Sequence, residues 1–238
     1  MLHTYLILIP RTTLFNNTFT NWILKNLQLV PIYRRQDDSS QTNKNTDTFE
    51  KGYQILEQDG AFLIFPEGIS TGDRKLSKIK TGAARIGFGA MVRNNWGLNI
   101  NIVPVGLSYS NPIKFKSNVI IRYGKPIQLK SFEEDYKHDE RNCVNQLTSQ
   151  IQTALSKLTT NINDLESEEI VSALELIYKK ELMIDLGLDL KNKSDDFSAT
   201  KGLVAGVEWY FKNRPNKVEE FKEMLKKYQD NLNLLKLK

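Results

Sequence analysis

With 238 residues, 40% apolar and 26% charged, the chain can build a hydrophobic core and is neither disordered throughout nor a polytopic membrane protein. Lys plus Arg less Asp plus Glu is 33 − 28 = +5, a mild excess that suits anionic partners (phosphorylated metabolites, acidic lipid surfaces, nucleic acid) without choosing among them. The single cysteine, Cys143, excludes an internal disulfide framework and a multi-cysteine metal site, and the only histidines are His3 and His138.

In chain order, the apolar run 5–9 predicts a buried strand, ended by Pro10. A bilayer core needs about 20 apolar residues in helix, so this run does not span one. No basic region precedes it and no small-residue cleavage site follows, so neither a signal peptide nor a transmembrane helix is expected. Residues 14–27 predict a helix and 29–33 a second strand, whose Pro31 favours an edge or an end. The polar stretch 36–46 reads as a surface loop. A helix follows over 48–58, with Phe49, Tyr53 and Leu56 on one face and Asp59-Gly60 closing it.

The continuous apolar run 61–65 predicts a central strand buried on both faces. After it, 66–80 is rich in Gly, Ser, Lys and Arg, and 81–92 predicts a helix. Two more strands are expected at 102–107 and 119–123, the second closed by the turn Gly124-Lys125-Pro126. Strands alternating with helices argue an α/β fold, a mostly parallel sheet flanked by helices. From about Ser131 the pattern is helical only. Val218, Phe221, Leu225, Tyr228, Leu232 and Leu235 form an a/d-like stripe, read as a terminal helix packed on its own domain. Asn213-Arg214-Pro215 predicts a helix–helix turn, with Leu203, Val207 and Tyr210 on the helix before it. The expected organisation is an α/β domain over 1–130, a helical closing segment over 131–165 and an all-helical C-terminal appendage over 166–238. Trp22, Trp96 and Trp209 are expected in packing rather than ligand contacts, and Cys143 as an inert small apolar residue.

Phe65-Pro66-Glu67-Gly68 ends the best strand, where α/β sheets gather ligands. Ser70, Arg74, Lys75, Lys78 and Lys80 follow, then Thr81-Gly82-Ala83-Ala84-Arg85 at a helix start. Cations and glycines there are what binding a phosphate monoester requires, although a solvated basic loop has the same composition. Gly68-Ile69-Ser70-Thr71-Gly72 also matches a nucleophile elbow in form. That elbow needs Ser on a tight strand-to-helix turn and a late histidine, neither of which the pattern here supplies.

Phe65-Pro66-Glu67-Gly68, then Ile79-Lys80-Thr81-Gly82-Ala83-Ala84-Arg85 and Ile102-Val103-Pro104-Val105-Gly106, resembles the phospholipid/glycerol acyltransferase family. Leu29-Val30-Pro31-Ile32-Tyr33-Arg34-Arg35 resembles that family's second block, and the ordered resemblance runs from about residue 6 to residue 129. It implies transfer of an acyl group from acyl-CoA or acyl carrier protein, as co-substrate, to a hydroxyl of glycerol 3-phosphate or its monoacyl form. Neither metal nor prosthetic cofactor is implied. By position, Arg34 matches a phosphate ligand, Glu67 and Gly68 the acceptor-binding block, and Val103 and Pro104 the wall of the acyl or acceptor pocket. Ser70, Arg74 and Lys80 complete the expected substrate-binding set. Relatives often carry Thr-Arg after Glu-Gly where this chain has Ile69-Ser70, and Gln28 stands where a Gly commonly precedes the second block. The expected partners are a glycerol phosphate or lysophospholipid, an acyl thioester and, peripherally, the cytoplasmic face of a membrane. No recognised nucleic-acid-binding module is present.

The family's catalytic block is a His followed by four residues and an Asp, in which the His takes the proton of the attacking hydroxyl. His3 has Leu8 at the fifth position after it and His138 has Cys143, so neither fits. The sequence is therefore expected to begin after that block. A start internal to a longer gene, a truncated gene and a binding-only relative all remain open, the last as a lipid- or acyl-CoA-binding pseudoenzyme. The expected behaviour of the 238-residue chain is little acyl transfer.

Overall fold

The computed structural model describes residues 4–6, 45–69, 74–109, 119–162 and 164–235. The helix expected over 14–27 and the strand expected over 29–33 lie outside them, as do His3, Arg34 and Ser70. The described chain divides into two compact units, each discontinuous in sequence. The first comprises Met1–Thr71, Ser77–Gly106 and Arg122–Leu158, and the second Gly72–Leu76, Leu107–Ile121 and Thr159–Lys238.

In the first unit, β1 (Thr4–Leu6) pairs in parallel with β2 (Ala61–Leu63), Tyr5 opposite Phe62. Helix α1 (Asn45–Glu57) precedes β2 and packs on α2 (Gly82–Arg93). The start of α1 takes up the last residues of the stretch expected as loop. Helix α2 buries Ala84, Ile86, Gly87, Phe88, Ala90 and Met91, too broad a face for a surface helix. Its exposed end is tied to α1 where Arg93 pairs with Glu50 at 2.5 Å and Glu57 at 3.0 Å. Helix α3 (Glu133–His138) follows a 3₁₀ turn (Leu129–Phe132) and leads to α4 (Glu140–Leu158). Along α4, Cys143, Val144, Leu147, Ile151 and Leu155 are buried at helical spacing, and the helix packs on α2. The ring of Phe88 meets those of Trp96, Phe132 and Tyr136 at centroid distances of 4.8–6.0 Å, which joins α2 to the turn and α3.

The strand expected over 102–107 is broken. Asn101–Ile102 forms β3, antiparallel to β6 (Ile127–Gln128), whereas Val105–Tyr109 forms β4 and pairs with β5 (Val119–Tyr123). Pro104 sits at the break. It has no N–H for a ladder, and its carbonyl accepts the Gly124 N–H at 2.8 Å. The described strands thus form three two-stranded pairs, and the mostly parallel sheet expected from the sequence is not shown. The described residues are mostly helical.

The second unit is built on α5 (Leu165–Ile177), α6 (Lys179–Asp185), α7 (Lys193–Asn213) and α8 (Pro215–Leu234). Asp164 caps α5 by accepting the Ser167 N–H at 2.7 Å, and Pro215 opens α8 at a position that needs no donor. Ile162, Ile170, Val171, Val204, Val207 and Val218 form the core, with Leu174, Phe211 and Phe221 packed against it. The stripe on α8 is buried at Val218 and opens along the helix, to 45% exposure at Tyr228 and 64% at Leu235. Among the described residues, no helix is long and apolar enough to cross a membrane.

Candidate functional site

The segment between β2 and α2 is folded by its own backbone. Gly68 donates its N–H to the Phe65 carbonyl at 3.3 Å, and Lys80 donates its N–H to the Pro66 carbonyl at 2.8 Å, which closes the loop on itself. Gly68 has φ +68°, the left-handed region that disfavours a side chain. A Cβ there would also lie 3.2–3.3 Å from Nζ, Cδ and Cε of Lys80, so the lysine stem runs directly over the glycine. Glu67 turns inward: its Oε2 accepts the Ser77 N–H at 2.7 Å. From α4, Gln152 Oε1 accepts the Ile79 N–H at 2.8 Å and Nε2 donates to the Ser77 carbonyl at 3.4 Å, while the Ile79 side chain is buried.

These contacts bring Glu67, Gly68 and Lys80 together beside the start of α2. There Thr81 makes no side-chain cap, no acid occupies the first turn, and the space about Gly82 is open. The first backbone N–H groups of a helix lack intrahelical partners and carry the positive end of its dipole. The side chains of Lys78 and Lys80 are exposed next to them. Arg85 is exposed one turn on, with its guanidinium 5.3 Å from the Phe49 ring centroid.

Arg74 lies in the second unit, with its charge already engaged. Nε donates to Glu168 at 2.8 Å, Nη1 to Glu175 at 2.6 Å and Nη2 to the Ser172 hydroxyl at 3.1 Å. Burial works against the guanidinium charge, but the hydrogen bonds and charges of Glu168 and Glu175 outweigh it and hold the group above its ordinary value. The backbone is held as well. The Arg74 carbonyl accepts from Ile162 N–H at 2.9 Å, and Leu76 N–H donates to Asn161 Oδ1 at 2.7 Å. Glu175 in turn accepts from the buried Thr200 hydroxyl at 2.7 Å.

Val103 and Pro104 occupy the break between β3 and β4, Val103 exposed and Pro104 buried. His138 is exposed at the end of α3. Sequence reasoning missed Ser77, Gln152, Asn161, Glu168 and Glu175. Ser77 lies in the loop itself and is engaged through its backbone N–H. The other four meet the loop across 73 to 101 residues of chain, and no local pattern marks them.

Residues 2–108 match the family model described as Acyltransferase. The chain is 32% identical over 136 residues to "Glycerol-3-phosphate O-acyltransferase 2" of Saccharomyces cerevisiae, which covers 57% of this chain and 18% of that protein. It is 27% identical over 180 residues to "Glycerol-3-phosphate O-acyltransferase 1" of the same yeast, covering 74% of this chain and 23% of that protein. An uncharacterized acyltransferase of Schizosaccharomyces pombe is 24% identical over 126 residues, or 52% of this chain and 18% of that protein. The chain therefore spans about a fifth of the length of the curated relatives it matches. No solved structure matches it. The loop of Glu67, Gly68 and Lys80 and the break at Val103-Pro104 both fall inside the stretch, residues 2–108, that is similar to the acyltransferase family.

Proposed function

We propose that this chain supplies the acceptor side of an O-acyltransferase, which moves a fatty acyl group from acyl-CoA or acyl carrier protein to glycerol 3-phosphate or 1-acylglycerol 3-phosphate. One observation carries the reading: Lys80 laid across the Glu67-Gly68 turn at the uncapped start of α2, inside the family segment. A phosphate monoester is a dianion with several acceptor oxygens. Lys78, Lys80 and the first N–H groups of α2 supply charge and directed donors to it. Glu67 spends Oε2 on Ser77, which leaves Oε1 to accept from a glycerol hydroxyl. Arg34 and Ser70 join this set by their place in the motif, and Val103 and Pro104 form the apolar wall.

In the reaction the acceptor hydroxyl oxygen bonds to the thioester carbonyl carbon as its proton passes to a base. The C–S bond then breaks, and the thiolate leaves and takes up a proton. No residue of this sequence is assigned as that base, because neither histidine has an aspartate five positions on. The chain therefore binds the acceptor and transfers little by itself, which also keeps the second reading, a binding-only relative. Contact with a membrane surface follows from the amphiphilic product and suits the net charge of +5.

Calorimetric titration of the 238-residue chain tests this reading. Saturable binding of glycerol 3-phosphate but not glycerol, weakened about tenfold by Lys80→Ala, is expected for loss of one charge-assisted contact. Equal affinity for the two ligands would sink the acceptor assignment. Rapid turnover with acyl-CoA that His3→Ala abolishes would sink the assignment of no base.

A further inference from the structure

Ser77–Lys80 belongs to no helix or strand, so its backbone polar groups need partners from elsewhere in the fold. Two side chains supply them. Glu67 Oε2 accepts the Ser77 N–H at 2.7 Å. Gln152 donates to the Ser77 carbonyl at 3.4 Å and accepts the Ile79 N–H at 2.8 Å. A carbonyl and the N–H two residues on are the pair that a neighbouring parallel strand would take, and here one carboxamide takes both. The side chains also alternate as on a strand, with Lys78 exposed, Ile79 buried and Lys80 exposed. Pinning Ser77 and Ile79 therefore sets the phase that turns both lysines outward, whereas a slip of one residue would turn them in. Gln152 sits half-buried on α4 between the buried Ile151 and Leu155, so the packed face of that helix fixes where its amide starts. Helix α4 in turn packs on α2, whose start the lysines flank. Glu67, Ser77–Lys80, α2 and α4 all lie in the first unit. We infer that Gln152 is a positioning residue for acceptor binding: its two-point hold on Ser77 and Ile79 presents Lys80 beside the start of α2. This role rests on the acceptor-site reading, in which Lys80 meets the phosphate.

The experiment uses the full chain with Gln152→Met, which keeps length, bulk and helix propensity but neither hydrogen bond. Hydrogen exchange is followed in peptides covering 77–81 and in peptides from α2, and glycerol 3-phosphate is titrated. The substitution is also combined with Lys80→Ala. Expected are exchange across 77–81 about tenfold faster with α2 unchanged, and affinity about fivefold weaker. In the Lys80→Ala background, Gln152→Met should cost almost no further affinity, because the hold acts through Lys80. A glutamine that served only stability would lower affinity equally in both backgrounds. Unchanged exchange across 77–81, faster exchange that spreads to α2, undiminished affinity, or additive losses in the double variant would each overturn the role of Gln152. The acceptor site itself would stand in those cases, since the unsubstituted chain still binds. Should the unsubstituted chain bind no glycerol 3-phosphate, the acceptor-site reading fails and the role of Gln152 fails with it.

Discussion

Glu67 closes the loop that carries it, its Oε2 accepting the backbone N–H of Ser77 at 2.7 Å. A carboxylate accepting from a backbone amide is a charge-assisted bond worth about 1.5–3 kcal/mol, and partial exposure places this one near the lower end. Glu67→Ala removes the acceptor and leaves Ser77 to water. We expect a loss of about 1–2 kcal/mol in urea unfolding, with glycerol 3-phosphate binding impaired. Glu67→Gln keeps a carbonyl oxygen at the same reach and should lose less than half as much stability.

Gly68 is constrained twice, by φ +68° and by the Lys80 stem that its Cβ would meet at 3.2–3.3 Å. Gly68→Ala is expected to cost about 1–2 kcal/mol for the left-handed backbone alone. It should also displace Lys80 and weaken acceptor binding. Denaturation and titration of the same variant read both effects, and an alanine variant of unchanged stability would contradict the backbone argument.

Gly82 opens α2, and no heavy atom lies within 4 Å of the place its Cβ would take, so alanine fits there. Replacing it relieves the unfolded chain of glycine's freedom and should stabilise the protein by about 0.4–1 kcal/mol. The same methyl stands where a phosphate would approach the first N–H groups of the helix. Gly82→Ala is therefore expected to melt higher and bind glycerol 3-phosphate less tightly. A variant that gains stability and keeps full affinity would place the phosphate elsewhere.

Gly106 behaves in the opposite way. A Cβ on it would lie 2.5 Å from the Leu158 carbonyl oxygen and 2.6 Å from the Leu158 Cβ, so β4 meets the end of α4 backbone to backbone. Backbone cannot swing aside as the end of a side chain can. Gly106→Ala should cost about 3 kcal/mol, the upper range for overpacking, measured by the same urea unfolding.

Cys143 is 1% exposed, and burial, then Asp135 and Asp139, push its thiol above the ordinary value. A raised value means less thiolate at any given pH, so a disulfide reagent at about pH 8 should label the folded chain slowly. The same reagent should react at once in denaturant. Rapid labelling of the folded protein would contradict this burial.

Much of the fold was legible where the signal is local. Strand β5 coincides with the expected 119–123, and α2 starts and ends within one residue of the expected helix, because alternation and helical spacing are properties of short windows. The break at Pro104 was readable from the missing donor, yet the apolar run around it masked the change of partner from β6 to β5. On α7, Leu203 and Val207 are buried as expected, but the face continues to Phe211 and leaves Tyr210 half exposed. Trp209, expected in packing, is 52% exposed and meets the edge of Tyr210. At the site, the motif marked Glu67, Gly68 and Lys80, whereas Gln152, Glu168 and Glu175 could not be found. An amide or carboxylate on a helix looks alike in sequence whether it faces water or a loop 73 to 101 residues away.

The interleaving of the two units also bears on how the chain is born. Helix α2 packs on α4, whose Leu147, Ile151 and Leu155 are synthesised well after it, so the first unit cannot close until Leu158 has left the ribosome. Arg74 waits longer still, for Glu168 and Glu175. Translation thus delivers the segment between β2 and α2 early and the partners of Arg74 late, and the nascent segment stays open to proteases and chaperones through that interval.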